Sequence, residues 1–217
     1  MSNPESFIQE VNEEVRRDRL YGYLRRYGWI AVLVVLLVVG GAGWNEWRKA
    51  RAQAEAEGFG DAVLNALDGG SSEARLAALG EIEAQGARAA ILALLQAAEA
   101  QRAGHTSAAL EAFEAVERNG ALPQSYRQLA ALKRVMLVGP DLPPDERYSV
   151  LSGLAQPDMP FRALAMEQIA LLRIETGEPA AAMAILRDIL DEPEATDELR
   201  ARVRQVIVAL GGDPAAG

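Results

Sequence analysis

The chain has 217 residues, a formal net charge of −9, one histidine and no cysteine. Disulfides and thiolate sites are thereby excluded, and one histidine builds neither a Ser–His–acid triad nor a histidine metal set. The acidic balance also argues against nucleic acid, whose phosphates demand a basic surface.

Residues 1–26 carry five arginines and five acids, so the whole negative charge lies further on, where 26 acidic residues face 17 basic ones. Asn3-Pro4 offers a helix cap and first-turn proline, and Phe7, Val11 and Val15 recur every four residues. This spacing predicts an amphipathic helix. Its neutrality favours contact with a partner over purely electrostatic binding to lipid.

Tyr27 to Asn45 contains no Asp, Glu, Lys or Arg, and Ile30 to Val39 holds only Ile, Ala, Val and Leu. Nineteen helical residues rise about 28 Å, close to the ~30 Å apolar thickness of a bilayer. Tyr27 and Trp29 stand at one end and Trp44 and Trp47 at the other, with Arg25, Arg26, Arg48 and Lys49 beyond them. That order of apolar span, aromatic flank and basic flank predicts a single transmembrane helix over 27–45. A cleaved signal peptide is the competing reading, since Ala50-Arg51-Ala52 has an A-x-A form. The apolar run is too long for it, and bulky and charged residues occupy the approach to the cut. The greater number of arginines before the span predicts a cytoplasmic N-terminus and a periplasmic remainder in a bacterial inner membrane.

From residue 46 onward, apolar residues recur at three- and four-residue spacing, punctuated by Gly and Pro. Helices are predicted over 46–67, 71–85, 87–103, 106–118, 123–138, 144–155, 161–176, 178–190 and 196–210, with no strand. Ser71 or Ser72, Pro179 and Thr196 mark helix starts, and the last seven residues, 211–217, are expected to fray. The fold class expected is all-α: one N-terminal transmembrane helix followed by a helical-hairpin array over 46–210.

The helices pair, and the pairs resemble one another. Aligning Gly104 with Gly177 sets Ala97 on Ala170, Ala109 on Ala182, Phe113 on Leu186 and Val116 on Ile189. A glycine ends the first helix, a small residue admits the second, and a large residue four later fills the space between them. This spacing is that of the tetratricopeptide repeat, with a unit of 34 residues. A degenerate copy spans 123–155, with Gly139 in the turn position and "GPDLPPDE" as an insertion. A weaker pair, 46–67 with 71–85, precedes them, and 196–210 caps the end.

The N-terminal "FIQEVNEEVRRDRLYGYLRRYGW" (Phe7–Trp29), one apolar span and a tetratricopeptide-like array together resemble the YfgM-like family of bacterial inner-membrane proteins. The resemblance implies an ancillary subunit of the Sec translocon, with secreted chains and periplasmic chaperones as partners. An envelope scaffold for outer-membrane assembly or cell division stays open as the alternative.

In such arrays the first helix of each pair lines the concave face, which binds partner segments. That places Gln101, Arg102, Tyr126, Leu129, Lys133, Glu167, Leu171 and Glu175 as candidate partner-binding residues. They lack the paired cations that would clamp a C-terminal carboxylate. No catalytic residue, metal, cofactor or small-molecule substrate is expected, for no GxSxG, Walker A or GxGxxG motif occurs. The acid-rich "DILDEPEATDE" (Asp188–Glu198) lacks the glycine and ligand spacing of a calcium loop, so it reads as solvated surface. His105 reads as a turn residue.

Overall fold

A computed structural model describes residues 4–213; within the first helix, the side chains of residues 4–24, 26–28, 31, 32 and 35 lie outside that description. The described residues form α-helices and one 3₁₀ turn, without strands. Two units divide the chain, one ending at Gly60 and one beginning at Asp61.

Helix α1 runs over Pro4–Leu67. No proline interrupts it after Pro4, and Gly40, Gly41 and Gly43 lower helix propensity by about 1 kcal/mol each without ending it. The expected amphipathic stripe of Phe7, Val11 and Val15 falls on side chains outside the description. So do Tyr27, Gly28, Ala31, Val32 and Val35 of the expected transmembrane span. Among the described residues, no helix is long and apolar enough to cross a membrane. Leu36, Leu37, Val38 and Val39 are each about two-thirds exposed, as is Trp44. The rings of Trp44 and Trp47 lie 5.2 Å apart, and the Arg51 guanidinium sits 5.7 Å from the Trp47 ring centre.

The second unit continues with α2 (Ser72–Gly80), α3 (Ala87–Arg102), α4 (Thr106–Arg118), α5 (Gln124–Val138), α6 (Pro144–Leu154), α7 (Arg162–Glu175), α8 (Pro179–Asp191) and α9 (Asp197–Ala209). From α2 onward each helix packs on the next, and α3 also touches α5. Ser71 caps α2 and Thr196 caps α9, each side-chain oxygen accepting a backbone N–H at 3.2 Å. Helix α2 is shorter than expected. It stops at Gly80, a poor helix former, and Gly86 then turns the chain into α3 with a positive φ of 59°.

The pairs expected from the sequence are hairpins with matching turns. Gly104 and Gly177 hold φ of +82° and +79°, a left-handed conformation that glycine adopts without penalty. Across each turn the following N–H reaches back to the helix: His105 to Ala100 at 2.8 Å, and Glu178 to Arg173 at 2.7 Å. All eight aligned residues are buried, none more than 3 % exposed.

The middle copy requires a correction. Gly139 adopts φ +55°, ψ −131° and enters the 3₁₀ turn Gly139–Asp141, so it is not the counterpart of Gly104. The register runs instead through buried Ala131, 34 residues after Ala97, and four extra residues fall in the turn. Beyond it, Arg147, Leu151 and Leu154 repeat the spacing of Ala109, Phe113 and Val116, and all three are buried. An arginine therefore occupies the small-residue slot. Arg75 does the same in α2, four residues before buried Leu79. Neither fits as a small residue would; each crosses to the next hairpin, Arg75 to Glu99 at 2.8 Å and Arg147 to Glu175 at 2.8 and 2.5 Å.

The core follows this succession in three clusters. One lies between α3, α4 and α5, around Ala97, Ala109 and Phe113. A second joins α5, α6 and α7 around Leu132, Leu151 and Ile169. The third joins α7, α8 and α9 around Leu186, Ile189 and Val203. The chain after α9 does not fray at once: Gly211 takes φ +81°, and the Gly212 N–H bonds Ile207 at 2.9 Å. Gly212 lies so close to Met183 that a Cβ there would stand 2.7 Å from its Cε. Residues 214–217 of the expected tail lie outside the described residues.

Candidate protein-binding groove

Helix α3 carries Ile91, Leu94, Leu95 and Ala98 at helical spacing, so they share one face. Helix α5 opposes them with Tyr126, Leu129 and Lys133, also one face. The two helices stand side by side because each packs on α4, whose Phe113 forms the floor and is only 2 % exposed. Between them lies a cavity of about 300 Å³, lined by these residues and Gln101. Its wall is mostly hydrocarbon; Tyr126 adds a phenolic hydroxyl, and Gln101 and Lys133 are exposed.

Four of the eight candidates, Gln101, Tyr126, Leu129 and Lys133, thus meet in one groove. The others lie elsewhere. Arg102 is exposed and pairs with Glu99 on its own helix. Burial pushes the Glu99 carboxyl up, but hydrogen bonds from Arg75 and Arg102 outweigh it and hold it below its usual value. Glu167 is 4 % exposed and accepts two bonds from Arg202 of α9, at 2.5 and 2.8 Å. Glu175 is exposed, and the Arg147 guanidinium holds its carboxyl below the usual range. Leu171 stands on an open face of α7, 40 % exposed.

The lining residues Ile91, Leu94, Leu95 and Ala98 escaped the sequence reading. Their i, i+3, i+4, i+7 spacing marks a buried or partner-facing stripe without saying which. Phe113 was legible as a space-filling residue but not as a groove floor.

A second, more open cleft of about 230 Å³ involves Glu117, Gln124, Arg127 and Leu154. Glu117 there is already held by Arg134, at 2.7 and 3.2 Å. His105 is exposed at the start of α4. Among the described residues no group of three or more His, Asp or Glu is placed to hold a metal ion. No family model, curated protein or solved structure matches the chain. The groove's chemistry must therefore be read from its own residues: it can bury two or three apolar side chains and offer a cation and an amide at its rim.

Proposed function

We propose that this protein is a membrane-anchored, non-enzymatic protein-interaction module of tetratricopeptide-like fold. The apolar groove between α3 and α5 carries the reading, because an exposed hydrocarbon cleft with few polar groups is suited to partner side chains. The 34-residue step from Ala97 to Ala131, repeated from Gly177 to Gly211, supports the repeat assignment. In such arrays the first helices, here α3, α5 and α7, line the binding face.

The apolar exposure from Leu36 to Val39, followed by Trp44, Trp47, Arg48 and Lys49, supports an anchor in a bacterial inner membrane. The N-terminus then lies in the cytoplasm and the helical array in the periplasm. With the resemblance to the YfgM-like family, the proposal is an ancillary subunit of the Sec translocon that meets secreted chains and periplasmic chaperones.

Affinity purification of the full-length protein from its own membranes in mild detergent tests this. Translocon subunits or periplasmic chaperones should co-purify with the wild type and be depleted by Tyr126→Ala with Leu129→Ala, the thermal midpoint showing that the variant is folded. Outer-membrane assembly or division proteins instead would replace the translocon role by that of an envelope scaffold. Leu36→Arg with Leu37→Arg should release the chain from membranes, since each central charge costs about 2.5–3.5 kcal/mol on insertion; retention of that variant would refute the anchor.

A further inference from the structure

The groove between α3 and α5 is asymmetric. Its body is hydrocarbon, from Leu94 and Leu95 across Phe113 to Tyr126 and Leu129, while Lys133 stands exposed at one rim. No carboxylate lines it. Arg134 is engaged with Glu117, and Arg75 and Arg102 with Glu99, while Arg127, on the same helix as Lys133, lines the other cleft. Among the described residues no hydrogen bond or ion pair holds Lys133. The exposed Lys133 ammonium, hydrated at the rim of an apolar cleft, is free to pair with a charge carried by an incoming segment.

We infer that the groove takes an apolar partner segment bearing a carboxylate that pairs with Lys133. The inference rests on the interaction-module reading above and adds the chemistry of the occupant. Lys133 follows Leu129 by one helical turn and Tyr126 by two, about 6 and 10 Å along the helix. An extended segment advances ~3.3 Å per residue, so its acid lies two or three residues from its apolar anchor. A cationic segment is rejected, since it would bring its charge against Lys133 with no acid in the lining to receive it. The net charge of −9 repels an acidic ligand at long range. The preference therefore comes from contact with Lys133 and not from steering.

The helices α7 and α9 do not present the same lining. At the equivalent positions Glu167 and Arg202 already bond each other, and Val206 stands where α5 has Lys133.

The test uses full-length protein in mild detergent and two fluorescein-labelled peptides of about nine residues, long enough to cross the cleft when extended. Both carry Leu and Phe anchors; one has a Glu three residues after the Phe and the other a Lys at that place. Fluorescence anisotropy should show the Glu peptide bound more tightly by roughly fivefold, as for a partly exposed ion pair. Lys133→Glu should invert the order, and Leu129→Arg should abolish both. Lys133 is exposed, so its substitution leaves packing intact. Equal binding of the two peptides, or a preference unchanged in Lys133→Glu, would overturn the acidic-segment inference and leave the groove reading in place. Binding indifferent to Leu129→Arg, or absent for both peptides, would overturn the groove reading and this inference with it.

Discussion

Helices α3 and α5 on one side, and α7 and α9 on the other, are the same construction 73 residues apart. Phe113 beneath the first pair corresponds to Leu186 beneath the second, and both are buried. Yet the facing stripes of the two pairs differ: the first lines a cavity with hydrocarbon, and the second carries an ion pair. Leu94 and Leu129 face the cavity, whereas their counterparts Glu167 and Arg202 reach across and bond each other. Tyr126 keeps part of its ring exposed, while its counterpart Leu199 is 3 % exposed in the core. Two helices held at one register thus give an apolar cleft or an ion-paired face according to a few side chains on the facing stripe. In the second pair the ion pair puts charged groups where the first pair presents leucines.

The deepest test of the equivalence is the floor. Phe113→Ala should cost about 3–5 kcal/mol and Leu186→Ala about 2–5 kcal/mol, each leaving a cavity that the neighbouring helices only partly fill. Urea denaturation measures both, and a loss at one position below 1 kcal/mol would show that the two hairpins are not built alike. The ion pair comes next. Arg202→Leu strands a buried carboxylate and should cost about 1–3 kcal/mol, moderated because the Arg202 side chain is 50 % exposed. Adding Glu167→Leu should restore most of that stability and convert the ion-paired face into an apolar one like the first. A double variant no more stable than Arg202→Leu would mean that the pair does more than set the polarity of that face.

The turns give a smaller effect. Gly104→Ala and Gly177→Ala should each cost about 1–2 kcal/mol, because a Cβ is disfavoured at positive φ. Since their φ values differ by only a few degrees, the losses should agree; markedly unequal shifts in thermal midpoint would break the parallel. The smallest difference is electrostatic. Glu99 stands where α7 has buried Leu172 and is held ionised by Arg75 and Arg102. Its carboxyl is depressed in the folded chain, so its contribution to stability is present above the ordinary glutamate value of about 4.3. That contribution is lost as pH falls through the lower, folded value. Glu99→Gln should flatten this part of the acid limb in a series of denaturation curves; an unchanged limb would assign it to other carboxylates.

Much of this was legible from residue order. The helices of the second unit, the Ser71 and Thr196 caps, and the aligned hairpins at Gly104 and Gly177 all followed from period, propensity and a glycine's freedom at positive φ. The middle hairpin misled because Gly139 looks like Gly104 in the sequence but opens a 3₁₀ turn one residue out of register, and because the small-residue slot holds Arg147. An arginine there is admissible only when its guanidinium finds Glu175 on the next hairpin, which no local pattern announces.

The candidate residues divide along the same line. Tyr126, Leu129, Lys133 and Gln101 line one cavity, as a repeat register that sets which helices stand side by side leads one to expect. Glu167 and Arg202 lie 35 residues apart, and their bond exists only once α7 and α9 are side by side. By itself the sequence determined which segments are helical, with the end of α2 as the exception, and which stripes are apolar, since these rest on interactions within a turn or two of chain. Only the tertiary structure decided which stripe is core, which is groove and which is bridged. Burial and ion pairing depend on which side chains packing brings face to face.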